Sequence, residues 1–315
     1  MILAGNLSSL ATVRLYFTVS TWEPLRLPDF AGSMLRGAFG RALRRLACMT
    51  RQSDCKSCPL LSTCPYPMIF ETPPKQDHHL QTFSQMPNPY IIEPPLGGSR
   101  RCEQGEEFTF SMVLIGDAVN QLPLIILAWE QAFTHGLGVE RSQCQLMRVL
   151  SENDEIIYCS DNKIINYNQV SVLHDVSEHE TGSITSLLLS FVTPLRMQMS
   201  GKRVGVKELD ARLLLITLAR RLQLLCDNHQ PEIQLDFQEI KEVANQLECQ
   251  CDMKWHDWTR YSSRQNQKMT LGGLVGKIHL SGDLDKIYPL LHIGQWIHLG
   301  KNATFGLGCY KLFNN

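Results

Sequence analysis

No run among the 315 residues approaches the ~20 consecutive apolar positions of a membrane-spanning helix, so no membrane partner is expected. Met1 to Leu10 lacks the cationic start and apolar core of a secretory signal, and a cytoplasmic location follows as an expectation. Charge of one sign is equally scarce. Thirty Lys and Arg oppose 31 Asp and Glu, so any hold on nucleic acid must come from local clusters of cations rather than from net charge. The G-x-x-x-x-G-K-[ST] phosphate loop and the serine nucleophile elbow are both missing, which leaves no nucleotide cofactor and no small-molecule hydrolase to argue for. Disorder is excluded on composition, since 43% of residues are hydrophobic and only 19% charged.

Cysteine, by contrast, is plentiful and odd in number. Eleven cysteines in a chain too large to need disulfide staples fit reduced thiols, so a tight subset reads first as metal-binding. Such a subset exists: Cys48, Cys55, Cys58 and Cys64 stand in C-x6-C-x2-C-x5-C order. Four thiolates this close suit one tetrahedral zinc, with no open position left for water, hence a structural rather than catalytic metal. An iron–sulfur cluster is the less favoured occupant, and His78 or His79 could replace one thiol.

The pattern of apolar residues divides the chain into two similar halves. Ala11 to Ser20 alternates as a strand, and Leu35, Phe39, Leu43 and Leu46 recur at helical spacing within Ala31 to Cys48. Tyr90 to Ile92, Glu107 to Ile115 and Cys144 to Leu150 read as strands, and Asp117 to His135 as a helix closed by Gly136 or Gly138. The order is β-α-β-β-α-β, which is ferredoxin-like. In the second half, Ser183 to Arg196, Gly273 to Leu280 and Gly308 to Phe313 read as strands. Lys207 to Cys226, Phe237 to Leu247 and Asp283 to Trp296 read as helices. Gly116-Asp117 leads to Pro123 and Trp129, just as Gly282-Asp283 leads to Pro289 and Trp296. The expectation is therefore α+β: two tandem ferredoxin-like domains at 1–150 and 183–315, a connection at 151–182, and a Cys-rich insertion at 48–74 of the first.

Three stretches could meet RNA. Arg36, Arg41, Arg44 and Arg45 lie off the apolar stripe of the first helix and could follow a phosphate backbone. From Trp258 to Lys268, cations Arg260, Arg264 and Lys268 alternate with Tyr261, Gln265 and other polar groups before Gly272-Gly273, a mixture suited to phosphates and unpaired bases. Near the C-terminus, His298, Gly300, Lys301, Gly306 and Gly308 form a glycine-rich loop whose N–H groups could cradle an anion beside Lys301.

Together the last two stretches resemble the RNA-processing branch of the CRISPR repeat-associated RAMP superfamily. The resemblance rests on Trp258, Arg260-Tyr261-Ser262, Arg264-Gln265, Gly272-Gly273, Gly276, Gly300-Lys301 and Phe305-Gly306-Leu307-Gly308. Leu35 to Gly40, the Cys55 to Cys64 cluster with Tyr66 and Phe70, and Thr193-Pro194-Leu195-Arg196 extend it through most of the chain. It implies paired RRM-like domains that bind CRISPR repeat RNA and cut one phosphodiester without a catalytic metal. The adjacent 2′-hydroxyl would attack, leaving a 2′,3′-cyclic phosphate and a 5′-hydroxyl. Such relatives often carry a base histidine by the first helix, where this chain has none. His298 is then the expected base, with His292, His279 and Tyr261 as lesser candidates. Lys301 and Arg260 are expected to steady phosphate charge, and Tyr261 or Lys301 to protonate the leaving oxygen. Arg264, Gln265, Lys268, Gly300, Gly306, Gly308 and Arg36 are expected to touch RNA. The alternative is a non-catalytic RNA-binding subunit, and other subunits of a CRISPR effector complex are conceivable partners under either reading.

Overall fold

The computed structural model describes residues 2–4, 7–73, 86–167, 183–199, 201–262 and 267–314, and for 3, 4, 8, 258–262 and 267–271 the backbone alone. Backbone proximity groups 11–172 with 262–267 in one compact unit, and 1–10, 173–261 and 268–315 in a second.

In the first unit, β1 (Thr12–Thr21) leads to α1 (Gly32–Ala47), a short α2 (Pro65–Phe70), β2 (Tyr90–Glu93), β3 (Glu107–Ile115), α3 (Leu122–Thr134), β4 (Cys144–Leu150) and β5 (Ile156–Cys159). The strands lie in the order β2-β3-β1-β4-β5, each pair antiparallel. Removing β5 leaves the ferredoxin-like arrangement. One face is dictated by the period of two: Val13, Leu15, Phe17 and Val19 are buried along β1. Helices α1 and α3 cover that face, and an aromatic cluster fills the gap. Trp129 lies 4.6 Å from Phe110, 5.0 Å from Phe39 and 5.4 Å from Phe133, centroid to centroid.

The second unit repeats the order with β6 (Ser186–Leu195), a small ribbon of β7 (Gln198–Met199) and β8 (Lys202–Arg203), α4 (Ala211–His229), α5 (Phe237–Gln246), β9 (Glu248–Ser262), β10 (Gln267–Ser281), α6 (Tyr288–Ile297) and β11 (Tyr310–Asn314). Its sheet runs β9-β10-β6-β11, again the ferredoxin-like order, with α4 and α6 packed by aliphatic residues such as Leu214, Leu218, Leu290 and Leu291. Residues Leu3–Ala4 pair with Gln234–Leu235 within this unit.

Two local readings need correction. The α-helical parts α3 and α6 start later than Asp117 and Asp283: Asp117 lies in a 3-10 turn, Gly116–Gln121, that runs into α3, whereas residues 283–287 are not helical. Pro123 and Pro289 stand in the first turns, where a missing N–H costs nothing, and no side chain caps either α-helix. Asp210 and Asp236 do cap, accepting from Leu213 N at 2.6 Å and from Gln238 N and Glu239 N at 2.9 Å. The second correction is strand β9, which starts ten residues before the Trp258 motif. Its signal was alternation of Cys249, Cys251, Met253 and Trp255 with polar neighbours. Among the described residues, no helix is long and apolar enough to cross a membrane.

Candidate nucleic-acid interface

The end of β6 carries Thr193, Pro194, Leu195 and Arg196, and the described parts of both C-terminal motifs meet there. On one side, Leu195 pairs with Leu274 of β10, and a Cβ on Gly273 would stand 2.9 Å from Leu195 O. The β9–β10 hairpin therefore runs on past the end of β6, taking the strand positions of Arg260, Tyr261 and Lys268 to the same end of the sheet. The side chains of these three, and Arg264 and Gln265 altogether, lie outside the described residues.

On the other side lies the glycine-rich loop. Lys301 N donates to Arg196 O at 2.7 Å, Gly308 N to Pro194 O at 3.0 Å, and Leu299 N to Gly308 O at 3.0 Å. Thr193 Oγ1 donates to Gly306 O at 2.6 Å and accepts from Cys309 N at 2.9 Å. This pattern revises the expected role of the glycines. The N–H groups of 299, 301, 305, 306, 308 and 309 are used inside the fold, so they form no anion cradle. Gly300 and Gly308 serve instead to bring backbone against backbone. Added Cβ atoms would lie 2.4 Å from Arg196 O and 1.8 Å from Leu299 O, and both positions have φ near the left-handed region, +87° and +71°.

The loop also offers side chains to a phosphate. Lys301 is exposed at its tip, and Lys202 and Arg203 are exposed on the ribbon that follows Arg196. Arg196 is half-buried, and its guanidinium is held below the ordinary arginine value by burial first and by the nearby Arg203 charge second. Among the described residues its Nη1 is buried without a hydrogen-bond partner, as are Arg36 Nε and Arg221 Nη2. Among the described residues no carboxylate forms an ion pair with Arg196 or Arg203. A buried donor on a cation, crowded by a like charge, is costly unless an anion completes it. Arg196 and Arg203 were absent from the expected site residues, although Arg196 closes the Thr193 to Arg196 motif; the ribbon that brings Arg203 back to it left no trace in the sequence pattern.

His298 has a different station from the one expected. It is fully buried at the C-terminal cap of α6, with φ +56° and ψ 160°, a region that residues other than glycine rarely adopt. Its Nδ1 lies 3.2 Å from Leu307 O. Burial leaves this imidazole poorly placed to take a proton from a solvent-borne ribose, and its visible contact fixes the loop. Beneath it, Arg221 Nε donates to Ile297 O at 2.6 Å, and full burial lowers that guanidinium to about 10. His279 lies on β10 opposite Leu188, its Nε2 2.8 Å from Ser186 Oγ. Seven strand positions separate Leu188 from Leu195, ~23 Å along the sheet, so His279 stands apart from the Arg196 group. His292 stacks on Tyr288 at 5.7 Å and meets Trp296 at 5.1 Å with the rings tilted by 46°.

In the first unit, Arg36 is also turned from its expected use. It is half-buried, its guanidinium 4.3 Å above the Phe70 ring, where it supports packing. Arg41 and Arg45 stay exposed. Cys48, Cys55, Cys58 and Cys64 are reduced, half-buried and line one small cavity. His78 and His79 lie outside the described residues.

Comparison with known proteins adds the following. Residues 10–170 match the family AF_1859_N, an N-terminal domain, and residues 189–310 match CRISPR-associated endoribonuclease Cas6. An uncharacterized protein of Archaeoglobus fulgidus is 24% identical over 309 residues, 95% of each chain. A Cas6 product complex superposes with a TM-score of 0.58 at 15% identity, covering 96% of this chain and 100% of that one. Thermus thermophilus Cas6 gives 0.54 at 14%, covering 96% and 99%. A partial Cas6-RT-Cas1–Cas2 complex gives 0.56 at 14%, covering all of this chain and 47% of the other. At these identities the structural likeness shows a shared fold.

Proposed function

We propose, for a chain that belongs to the AF_1859_N family, carries a C-terminal domain of the CRISPR-associated endoribonuclease Cas6 family and so is a RAMP-type CRISPR protein, that it binds precursor repeat RNA at the end of β6 and cuts it there without a catalytic metal. The observation that carries this reading is the buried Nη1 of Arg196, without a partner among the described residues, beside Arg203 and the loop bearing Lys301. A phosphodiester supplies the anionic oxygens that such a group lacks. In the reaction, the 2′-hydroxyl loses its proton and attacks the adjacent phosphorus. The 5′-oxygen then leaves with a proton, giving a 2′,3′-cyclic phosphate and a 5′-hydroxyl. Charge on the phosphorane-like transition state falls to Arg196, Arg203 and Lys301, whose cations need little reorganisation at that moment. Tyr261 is assigned to take the proton of the 2′-hydroxyl and the Lys301 ammonium to give one to the leaving 5′-oxygen, while His298 holds the loop. Arg260, Arg264, Gln265 and Lys268 on the hairpin are assigned to the RNA strand flanking the cut.

A second reading has its own support. Helix α1 has no histidine and His298 is buried, which suits a subunit that holds repeat RNA without cutting it. One assay separates the two. Labelled repeat RNA incubated with the protein in excess EDTA is expected to yield a single cut with a cyclic phosphate end. A gel shift with intact RNA would establish the binding subunit, and no shift at all would reject both.

A further inference from the structure

The four cysteines of the first unit lie outside the RNA site, and their surroundings point to a separate role. Two of them close helices: Cys48 caps α1, its N–H bonded to Arg44 O at 2.9 Å, and Cys64 precedes Pro65 at the start of α2, its N–H bonded to Leu60 O at 2.8 Å. Between them, residues 49–63 form neither helix nor strand, a connection much longer than the ~4–6 residues usual in compact domains. Few of its own apolar groups are covered: Met49 is 83% exposed, and Leu60 and Leu61 are only half-buried. Cys58 N donates to Cys55 O at 3.1 Å, which folds the C-x-x-C pair into a tight turn. All four residues line one cavity of about 10 Å³, room for a single small occupant, although no three of their sulfurs stand within 4.8 Å of one another.

The charges around this cavity also fit a metal. One zinc with four thiolates carries two net negative charges, and a cation nearby offsets them. Arg44 stands within electrostatic range of Cys48 and Cys55, with Glu71 as its counter-charge on the Cys55 side. It is pinned by Nη2 bonds to Gln52 O at 2.6 Å and Ser53 O at 2.9 Å. Thr50 Oγ1 lies 3.4 Å from Cys58 Sγ, a distance at which a hydroxyl supports a ligand sulfur from outside the coordination shell.

We propose that Cys48, Cys55, Cys58 and Cys64 hold one structural zinc ion that splints the end of α1 to α2. The splint matters because α2 presents Tyr66 and Phe70 to the core. Phe70 stacks on Tyr90 at 5.8 Å and lies against Gly40, where a Cβ would come within 2.2 Å of its ring. The metal therefore holds the aromatic cover of the first unit in place, and this role does not depend on how RNA is cut.

The full chain, freshly purified without chelator, is expected to contain about one zinc. After the metal is stripped under reducing conditions, Co²⁺ should titrate to one equivalent with the thiolate charge-transfer and tetrahedral ligand-field bands of a four-sulfur site. Stripping should lower the Tm by at least about 5 °C, recovered on adding zinc. C55S/C58S should lose the metal; if that variant fails to fold, the titration of the stripped wild-type chain decides alone. Absence of any metal with no cobalt saturation, or iron with acid-labile sulfide in place of zinc, would overturn the proposal.

Discussion

The two units share one strand order and differ in what is hung on it. The first fills its core with rings, Phe17, Phe39, Phe110, Trp129 and Phe133, and places four thiols between its first helix and the next. The second packs its helices with leucine and isoleucine, and gathers cations where its first strand ends. A ferredoxin-like sheet thus leaves its connections free for unrelated chemistry, because the core depends on alternate strand residues and one helix face, not on the loops between them. The difference teaches that stability of the first unit should be separable from RNA contact by the second.

The most severe way to sharpen that separation acts on the substrate. RNA with a 2′-deoxy sugar at the cut should bind with unchanged affinity and stay intact, because the nucleophile is gone; cleavage of such RNA would end the proposed mechanism. Next comes R196A/R203A/K301A. Repeat RNA affinity at low salt should fall by about 10²-fold or more, at ~1.5–3 kcal/mol for each charge-assisted hydrogen bond. The slope of log affinity against log salt should shrink by ~0.7 for each phosphate no longer neutralised. An unchanged slope would move the binding surface elsewhere, and a large drop in Tm would show that the two units are not separable in this way.

Glycines give a smaller, paired test. Gly40→Ala drives a methyl into the Phe70 ring, and Gly308→Ala drives one into Leu299 O at a positive φ. Each should cost about 1–3 kcal/mol in denaturant unfolding. Only Gly308→Ala should also slow RNA cleavage, since Gly308 belongs to the loop that carries Lys301. Equal losses of cleavage in both variants would contradict the division.

The smallest effect is alkaline. Burial pushes the Cys144 thiol of the first unit and the Cys226 thiol of the second up to about 12 from the ordinary 9.0. The folded chain keeps protons that the unfolded chain releases, so stability is intact below pH 9 and declines as pH rises through 9 toward 12. Cys144→Ala and Cys226→Ala should each flatten part of that decline in Tm measured against pH, and by similar amounts. A decline unchanged in both variants would show that other groups control it.

Strand and helix periods made most of the architecture legible from residues alone. Alternation along β1 and the 3.6-residue spacing of Leu35, Phe39 and Leu43 reflect burial of one face, and burial is what those elements exist to achieve. Strand β9 escaped because its inward residues include Cys249 and Cys251, which read as reactive groups before they read as apolar ones. The site was legible only as a neighbourhood. Motif residues Gly273, Gly300, Lys301 and Gly308 do meet at one strand end, but the glycines serve the close approach of backbone to backbone.

What the sequence determined by itself was the duplicated α+β fold, the family resemblance and the close spacing of four cysteines, since each depends on residue type and local interval. Which cations face an anion, and which histidine is sealed away, was decided by tertiary structure. Arg36 and Arg196 are both half-buried arginines with one buried N–H that no described residue accepts, yet one guanidinium lies over Phe70 and the other beside the like charge of Arg203. His298 sits next to the loop in sequence, but the turn at the end of α6 points it inward to Leu307 O. The direction of a side chain, and the charges that surround it, follow from segments distant in the chain, and no local pattern encodes them.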